Sequence, residues 1–228
     1  MLLSKLVFLC VKNVIYLDDD SFNYDGFLQE DFDSDIDYAT NINNVFSPLN
    51  EAISRLNDLE RIPYQIREVH IAADRTIDLS VCKRTVGNHE VGVKRVVGVA
   101  QINSNGTYKK LAHTSFGKDK IRVISPYSPT SAIFVEYKEN IPVFDRTDLV
   151  SVQPDEEDEN IDLFNEFGID EGMAQFIIEY VQGKLLEPIA PELANMHITR
   201  AEAYFANIGA VQPSFPQQRV ETTYKVGG

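Results

Sequence analysis

Tryptophan is absent from this 228-residue chain, cysteine occurs twice, and no stretch is long and apolar enough to read as a bilayer span. Cys10 and Cys82 lie far apart and match no metal or redox spacing. They are expected as reduced, packed thiols of a cytosolic product, and a disulfide between them has no support in the sequence. The four histidines, His70, His89, His113 and His197, have no second His, Cys or carboxylate at a metal-binding spacing, and HExxH, CxxC and EF-hand patterns are all missing. His197 falls on an apolar helix face, where a hydrogen-bonded core histidine is the expectation, and His89 reads as a loop residue. No GxSxG elbow exists, and Gly92 and Gly98 lie in a strand-like run instead of a phosphate-binding loop. With 35 acidic residues, two carboxylates will meet somewhere by chance, so such a pair would carry little information. The sequence therefore reads as a non-enzyme with no cofactor and no metal site. Asp18-Asp19-Asp20 lacks the spaced oxygen ligands of a calcium loop and is taken as solvated surface. The apolar start, Met1 to Leu17, is broken by Lys5 and Lys12 and has no small-residue cleavage site before Asp18, so it reads as a strand or helix of the fold.

What the chain does contain is enough apolar material for a core: 43% hydrophobic residues, including 13 Phe and 10 Tyr. Its net charge of −14 is unevenly placed. Residues 1–64 carry −8, residues 65–127 carry +6 and residues 128–228 carry −12. A basic centre between acidic flanks suits steering and registering partners of opposite potential, or simply keeps the chain soluble. Generic nucleic-acid binding is disfavoured, because acidic flanks repel phosphates. The basic pairs Lys83-Arg84, Lys94-Arg95 and Lys109-Lys110 fit exposed strand faces guarded against edge pairing.

The pattern predicts an α+β fold with four parts. Residues 1–37 form an N-terminal extension, whose Asp-rich, aromatic stretch from Asp18 to Asp37 is expected to be mostly irregular and pinned by Phe22, Tyr24, Phe27 and Phe32. Residues 38–64 and 155–209 form a helical core. In the first, Ala39, Ile42, Val45, Phe46, Leu49, Ala52, Ile53 and Leu56 make one apolar stripe that stays in phase across Pro48, favouring a single helix bent there over one that starts there. In the second, Met173, Phe176, Ile177, Tyr180, Val181 and Leu185 follow a cap at Asp170. Pro191 then opens a helix with Leu193, His197, Ala201, Tyr204, Phe205 and Ile208 on one face, closed by Gly209, completing an αα-hairpin. Residues 65–150 hold six β-rich runs separated by turns, with a hairpin signal at Asn105-Gly106, and read as an antiparallel sheet, small sandwich or barrel. The acidic stretch Gln153 to Asn160 reads as an exposed linker or a helix entry. Residues 210–228 lack any periodicity and read as a disordered tail or an extended arm that orders on a neighbour, with Pro213, Phe215, Pro216, Val220 and Tyr224 as candidate partner-binding residues.

The order of these parts resembles a known group. A helix ending in Asn50-Glu51-Ala52-Ile53-Ser54-Arg55-Leu56, a β-rich insert closing on Ile133-Phe134-Val135-Glu136-Tyr137 and Ile141-Pro142, and a terminal helix pair are similar to the head–tail adaptor, or connector ring, proteins of tailed bacteriophages. The run Leu193 to Ile208 resembles the last helix of such adaptors in its Arg-Ala-Glu-x-Tyr pattern, here Arg200 to Tyr204. Within the group the likeness points to the ring proteins of crAss-like podoviruses. It covers Tyr38 to Gly209, and the aromatic acidic segment before Tyr38 lies outside the common pattern. The resemblance implies a ring of twelve copies in the virion, docked on the portal protein and next to tail proteins. It would line a channel through which DNA passes without specific binding. It brings no catalytic residues and no membrane contact. The alternative reading is a receptor- or carbohydrate-binding β module, which would gather exposed aromatics in a cleft of the sheet.

Overall fold

The computed structural model describes residues 1–12, 14, 23–29, 36–59, 64–102, 106–152 and 159–210. The fold is α+β, with helices before and after a set of antiparallel strands. It divides into two compact units: a helical one of Met1–Ile62, Val86–His89 and Ile141–Gln212, and a β unit built on Pro63–Thr85 and Glu90–Asn140.

The helical unit contains α1 (Leu3–Lys12), α2 (Tyr24–Gln29), α3 (Ile36–Asn57), α4 (Leu163–Phe167), α5 (Glu171–Leu186) and α6 (Pro191–Ala210). Helix α5 is its axis. The Asp170 side chain accepts the Met173 N–H at 2.9 Å, the cap expected from sequence. The expected single stripe is buried almost throughout, only Leu185 remaining half-covered, but so are Ala174, Ile178, Gln182, Gly183 and Leu186, because α1, α3 and α6 all pack against this helix. Helix α3 runs unbroken through Pro48 and buries Ile42, Val45, Phe46, Leu49, Ala52, Ile53 and Leu56, the stripe read from its spacing.

The apolar start is a helix that belongs to this core. Leu3, Leu6, Val7, Cys10 and Val11 of α1 are fully buried. The Leu3 N–H donates to the Ile161 carbonyl at 2.8 Å, and the Leu163 N–H donates to the Met1 carbonyl at 2.9 Å, stitching the start to the entry of α4. The Gln182 side-chain amide donates to the Leu9 carbonyl at 2.9 Å. Where the sequence suggested an irregular stretch, Tyr24–Gln29 is helical, with the Asn23 side chain accepting the Gly26 N–H at 2.8 Å. Tertiary packing supplies what weak propensity does not. Phe27 is fully buried, Tyr24 shares a 2.7 Å hydrogen bond with the Ser4 hydroxyl, and the Lys5 ammonium lies 4.0 Å from the Tyr24 ring centre.

Between Ile141 and Val152 the chain has little regular structure, and three asparagines satisfy its backbone. Asn50 and Asn57, two turns apart on α3, hold Phe144 and Ile141. In each, the side-chain oxygen accepts the residue's N–H (2.9 and 3.0 Å) and the side-chain amide donates to its carbonyl (2.7 and 3.2 Å). Buried Asn160 does the same for Val150 at 2.9 and 3.0 Å. These amides take the place that a neighbouring strand would fill.

The β unit has two sheets around one core. Strands β1 (Gln65–Val69), β5 (Val93–Ile102), β6 (Tyr108–Leu111) and β9 (Ala132–Glu139) form a sheet in the order β1-β9-β5-β6. Strands β2 (Thr76–Asp78), β7 (His113–Ser115) and β8 (Lys120–Val123) form a second, in the order β2-β8-β7, and β3 (Arg84–Val86) and β4 (His89–Val91) form a two-stranded ribbon. All pairs of the two larger sheets are antiparallel. Val69, Val99, Leu111, Ile133, Val135 and Tyr137 meet Ile77, Ile121 and Val123 in the shared core, the small sandwich among the options left open by the sequence. The expected strand from Thr76 to Val81 stops at Asp78. Its carboxylate accepts the Ser80 N–H at 2.9 Å and caps a 3-10 turn over Leu79–Cys82.

Candidate functional site

Among the described residues no group of three or more His, Cys, Asp and Glu side chains is placed to hold a metal. Two histidine–carboxylate pairs do form. His89 Nε2 lies 2.7 Å from buried Asp148, with its ring edge-on to Phe144 at 5.5 Å, although the sequence read it as a plain loop residue. His197 Nδ1 lies 2.7 Å from Glu179, joining α6 to α5, as a hydrogen-bonded core histidine should. Asp148 also accepts the Asp145 N–H at 2.8 Å, so its oxygens are occupied by the fold. Both cysteines are buried and free, and burial pushes both thiols up, away from the reactive thiolate.

The most elaborate constellation is a knot that ties α3, α5 and α6 together. Arg55 on α3 makes a two-pronged ion pair with Glu202 on α6, at 2.7 and 2.9 Å. Its guanidinium lies 4.4 Å from the Phe205 ring centre, 5.3 Å from Phe176 and 5.4 Å from Tyr180. The Tyr180 hydroxyl donates to Glu51, one turn before Arg55. Hydrogen bonding to Glu202 holds the Arg55 guanidinium up, and the same bond keeps the Glu202 carboxyl low. Burial, then the bond to Glu51, pushes Tyr180 up to about 12. Glu51 and Arg55 come from one of the segments quoted for the adaptor resemblance, and Glu202 and Phe205 from another, and they meet here.

Among the described residues, helix α6 shows a second apolar stripe that is exposed. Gly183 lets α6 come so close to α5 that a Cβ there would sit 2.7 Å from Ile198 and 3.2 Å from the Ala194 carbonyl. The seam therefore takes the small residues Ala194 and Ala201, with Ile208. Leu193 and Tyr204, expected on the buried face, are displaced one step round the helix and are 48% and 38% exposed. With Met196, 41% exposed, and Arg200 they follow i, i+3, i+7, i+11 spacing, and Ile189 just before the helix is 75% exposed. In the β unit, the outward face of the β2-β8-β7 sheet is mixed. Ile121 and Val123 point to the core, while Lys120, Arg122 and Ile124 alternate with them, Ile124 being 57% exposed. The Arg122 guanidinium lies 3.8 Å from the ring centre of Phe116, which is 42% exposed.

The two units differ sharply in charge. Met1–Ile62, Val86–His89 and Ile141–Gln212 hold 7 basic and 27 acidic residues, a net of −20, whereas Pro63–Thr85 with Glu90–Asn140 hold 12 basic and 7 acidic, a net of +5. The candidate partner-binding residues Pro213, Phe215, Pro216, Val220 and Tyr224 lie outside the described residues, as do Asp18-Asp19-Asp20 and most of the acidic stretch before Asn160. No protein-family model matches the chain, and no curated protein matches it. Among the described residues, no helix is long and apolar enough to cross a membrane.

Proposed function

We propose that this chain is a structural ring or adaptor subunit of a tailed-phage connector. Its partners are further copies of itself, a portal protein and adjacent tail proteins at the portal vertex of the virion, and DNA passes through without specific contacts. The observation that carries this reading is the opposite charge of two compact units, −20 and +5, each displaying large apolar side chains to solvent. A subunit that must touch unlike neighbours on different sides has a use for such division. The Arg55 knot supports the reading in a second way. Two of the segments that resemble adaptors meet in this three-helix joint of the helical unit. A predominantly acidic body also suits a channel wall, because unneutralised phosphates slide past acidic side chains instead of sticking.

Negative-stain imaging of the purified full chain tests the proposal. Closed rings with a central hole, twelve-fold in the adaptor resemblance, are the expected result. A compact particle without a hole, or a chain that binds a glycan or receptor as a monomer, would remove the connector reading in favour of a binding module.

A further inference from the structure

We infer that the exposed α6 stripe is covered by the outward β2-β8-β7 face of a second copy, in a head-to-tail contact. This rests on the ring-subunit reading and names the two surfaces that would meet.

The stripe of Leu193, Met196 and Tyr204 spans about three turns of α6, with Ile189 just before the helix, and lies outside the α5 seam. Such a row of large apolar side chains is the kind of surface an interface core uses. The choice of occupant follows from charge. Two copies meeting stripe to stripe would bring two bodies of −20 together. Like fields of that size oppose association. The β unit, at +5, is the part of the chain with the complementary sign. Its outward sheet face offers Ile124 and Phe116 as apolar groups with Lys120 and Arg122 beside them. Register places these on one side of the sheet. Arg122 pairs with Thr76 and Thr114, and the Phe116 N–H donates to the Lys120 carbonyl, so side chains two residues apart share the outer face. Asp78 lies on that face opposite Lys120 and gives Arg200 of the stripe an acceptor of opposite charge. Two different surfaces meeting head to tail leave one of each free on every pair, which is the condition for a ring.

The test uses two variants of the full chain. The first, Leu193→Ser with Met196→Ser and Tyr204→Ser, removes the stripe; the second, Lys120→Glu with Ile124→Glu, spoils the sheet face. All five residues are at the surface or flank the core, and circular dichroism checks that both variants fold. Sedimentation velocity at low ionic strength then reads association. Each variant alone is expected to lose self-association by ~30-fold or more, as when an anchoring cluster is removed. Mixed in equal amounts they should form a two-copy complex and nothing larger, because the intact face of one fits the intact stripe of the other. A mixture that stays monomeric, or a variant that still assembles like the parent, overturns the contact. The ring reading is judged separately. Open chains of the parent, with two-copy complexes in the mixture, would keep the contact and remove the ring. Parent rings that survive in both variants would keep the ring and remove the contact.

Discussion

Replacing Gly183 by alanine places a methyl group in the tightest part of the helical unit. The new Cβ would stand 2.7 Å from both Cγ1 and Cδ1 of Ile198 and 3.2 Å from the Ala194 carbonyl oxygen, distances at which something must shift. Helix propensity works the other way, favouring alanine over glycine by about 1 kcal/mol. Overpacking in a closed seam costs about 1–3 kcal/mol, so Gly183→Ala should destabilise by about 1 kcal/mol net. The sharper readout is the double-mutant cycle with Ile198→Ala, which removes both clashing carbons. Alone, Ile198→Ala should cost about 1–2 kcal/mol, because the side chain is half-buried. Combined, the clash disappears while the propensity gain remains, so the pair should be about 1–3 kcal/mol more stable than the sum of the singles. Urea unfolding followed by helical ellipticity measures this, provided the slope is unchanged across the four proteins. Additivity within about 0.5 kcal/mol, or a stabilising Gly183→Ala, would refute the close approach of α5 and α6.

The Arg55 knot predicts an asymmetry. Glu202 is half-exposed, so Glu202→Ala should cost no more than about 1 kcal/mol, whereas Arg55→Ala also loses the stacking on Phe205 and should cost about 2 kcal/mol. Equal losses in a thermal or urea series would mean that the rings contribute nothing. Asn160→Ala removes both bonds to Val150, and should cost about 1–3 kcal/mol and speed hydrogen exchange at Val150; unchanged exchange would show that the clamp is idle. Burial pushes Tyr137 and Tyr180 up to about 12, above the ordinary 10.0, and a raised folded value favours the protonated form in the native state. Their contribution is therefore intact below pH 10 and is lost as the pH rises towards 12. Phenolate absorbance should show Tyr137 and Tyr180 titrating late, and Tyr180→Phe should remove one late tyrosine. Ten tyrosines titrating together in the folded protein would contradict the burial of both.

Much of this fold is legible in residue spacing, and the failures have physical causes. The α3 stripe reads correctly through Pro48 because every turn contributes an apolar residue, and Asp170 caps α5 where a capping residue precedes an apolar run. Of the α6 face read from spacing, Ala201 and Ile208 are buried and His197 and Phe205 partly so, whereas Leu193 and Tyr204 are exposed. Spacing marks Leu193 and Tyr204 as core, but Gly183 lets α6 approach α5 on the side of Ala194, Ile198 and Ala201 instead. A glycine inside an amphipathic helix was the available signal. Asp-rich composition concealed α2, whose stability comes from Phe8 and Tyr24 packing on Phe27. The N-terminal run is apolar on most sides because it is a core helix, a case that periodicity does not separate from a strand. The asparagine clamps at Asn50, Asn57 and Asn160 were invisible, since each joins residues that are distant or irregular in sequence. For function, the charge asymmetry was readable at once. The exposed stripe was not, because it depends on which of two adjacent apolar faces α5 covers.

The claim that this chain exists to be covered by its own copies is tested most directly by native mass spectrometry of the full protein at low ionic strength, across rising concentration. A single closed assembly, at one whole-number multiple of the 25.8 kDa subunit mass, is the predicted result. A 25.8 kDa monomer at every concentration would contradict it.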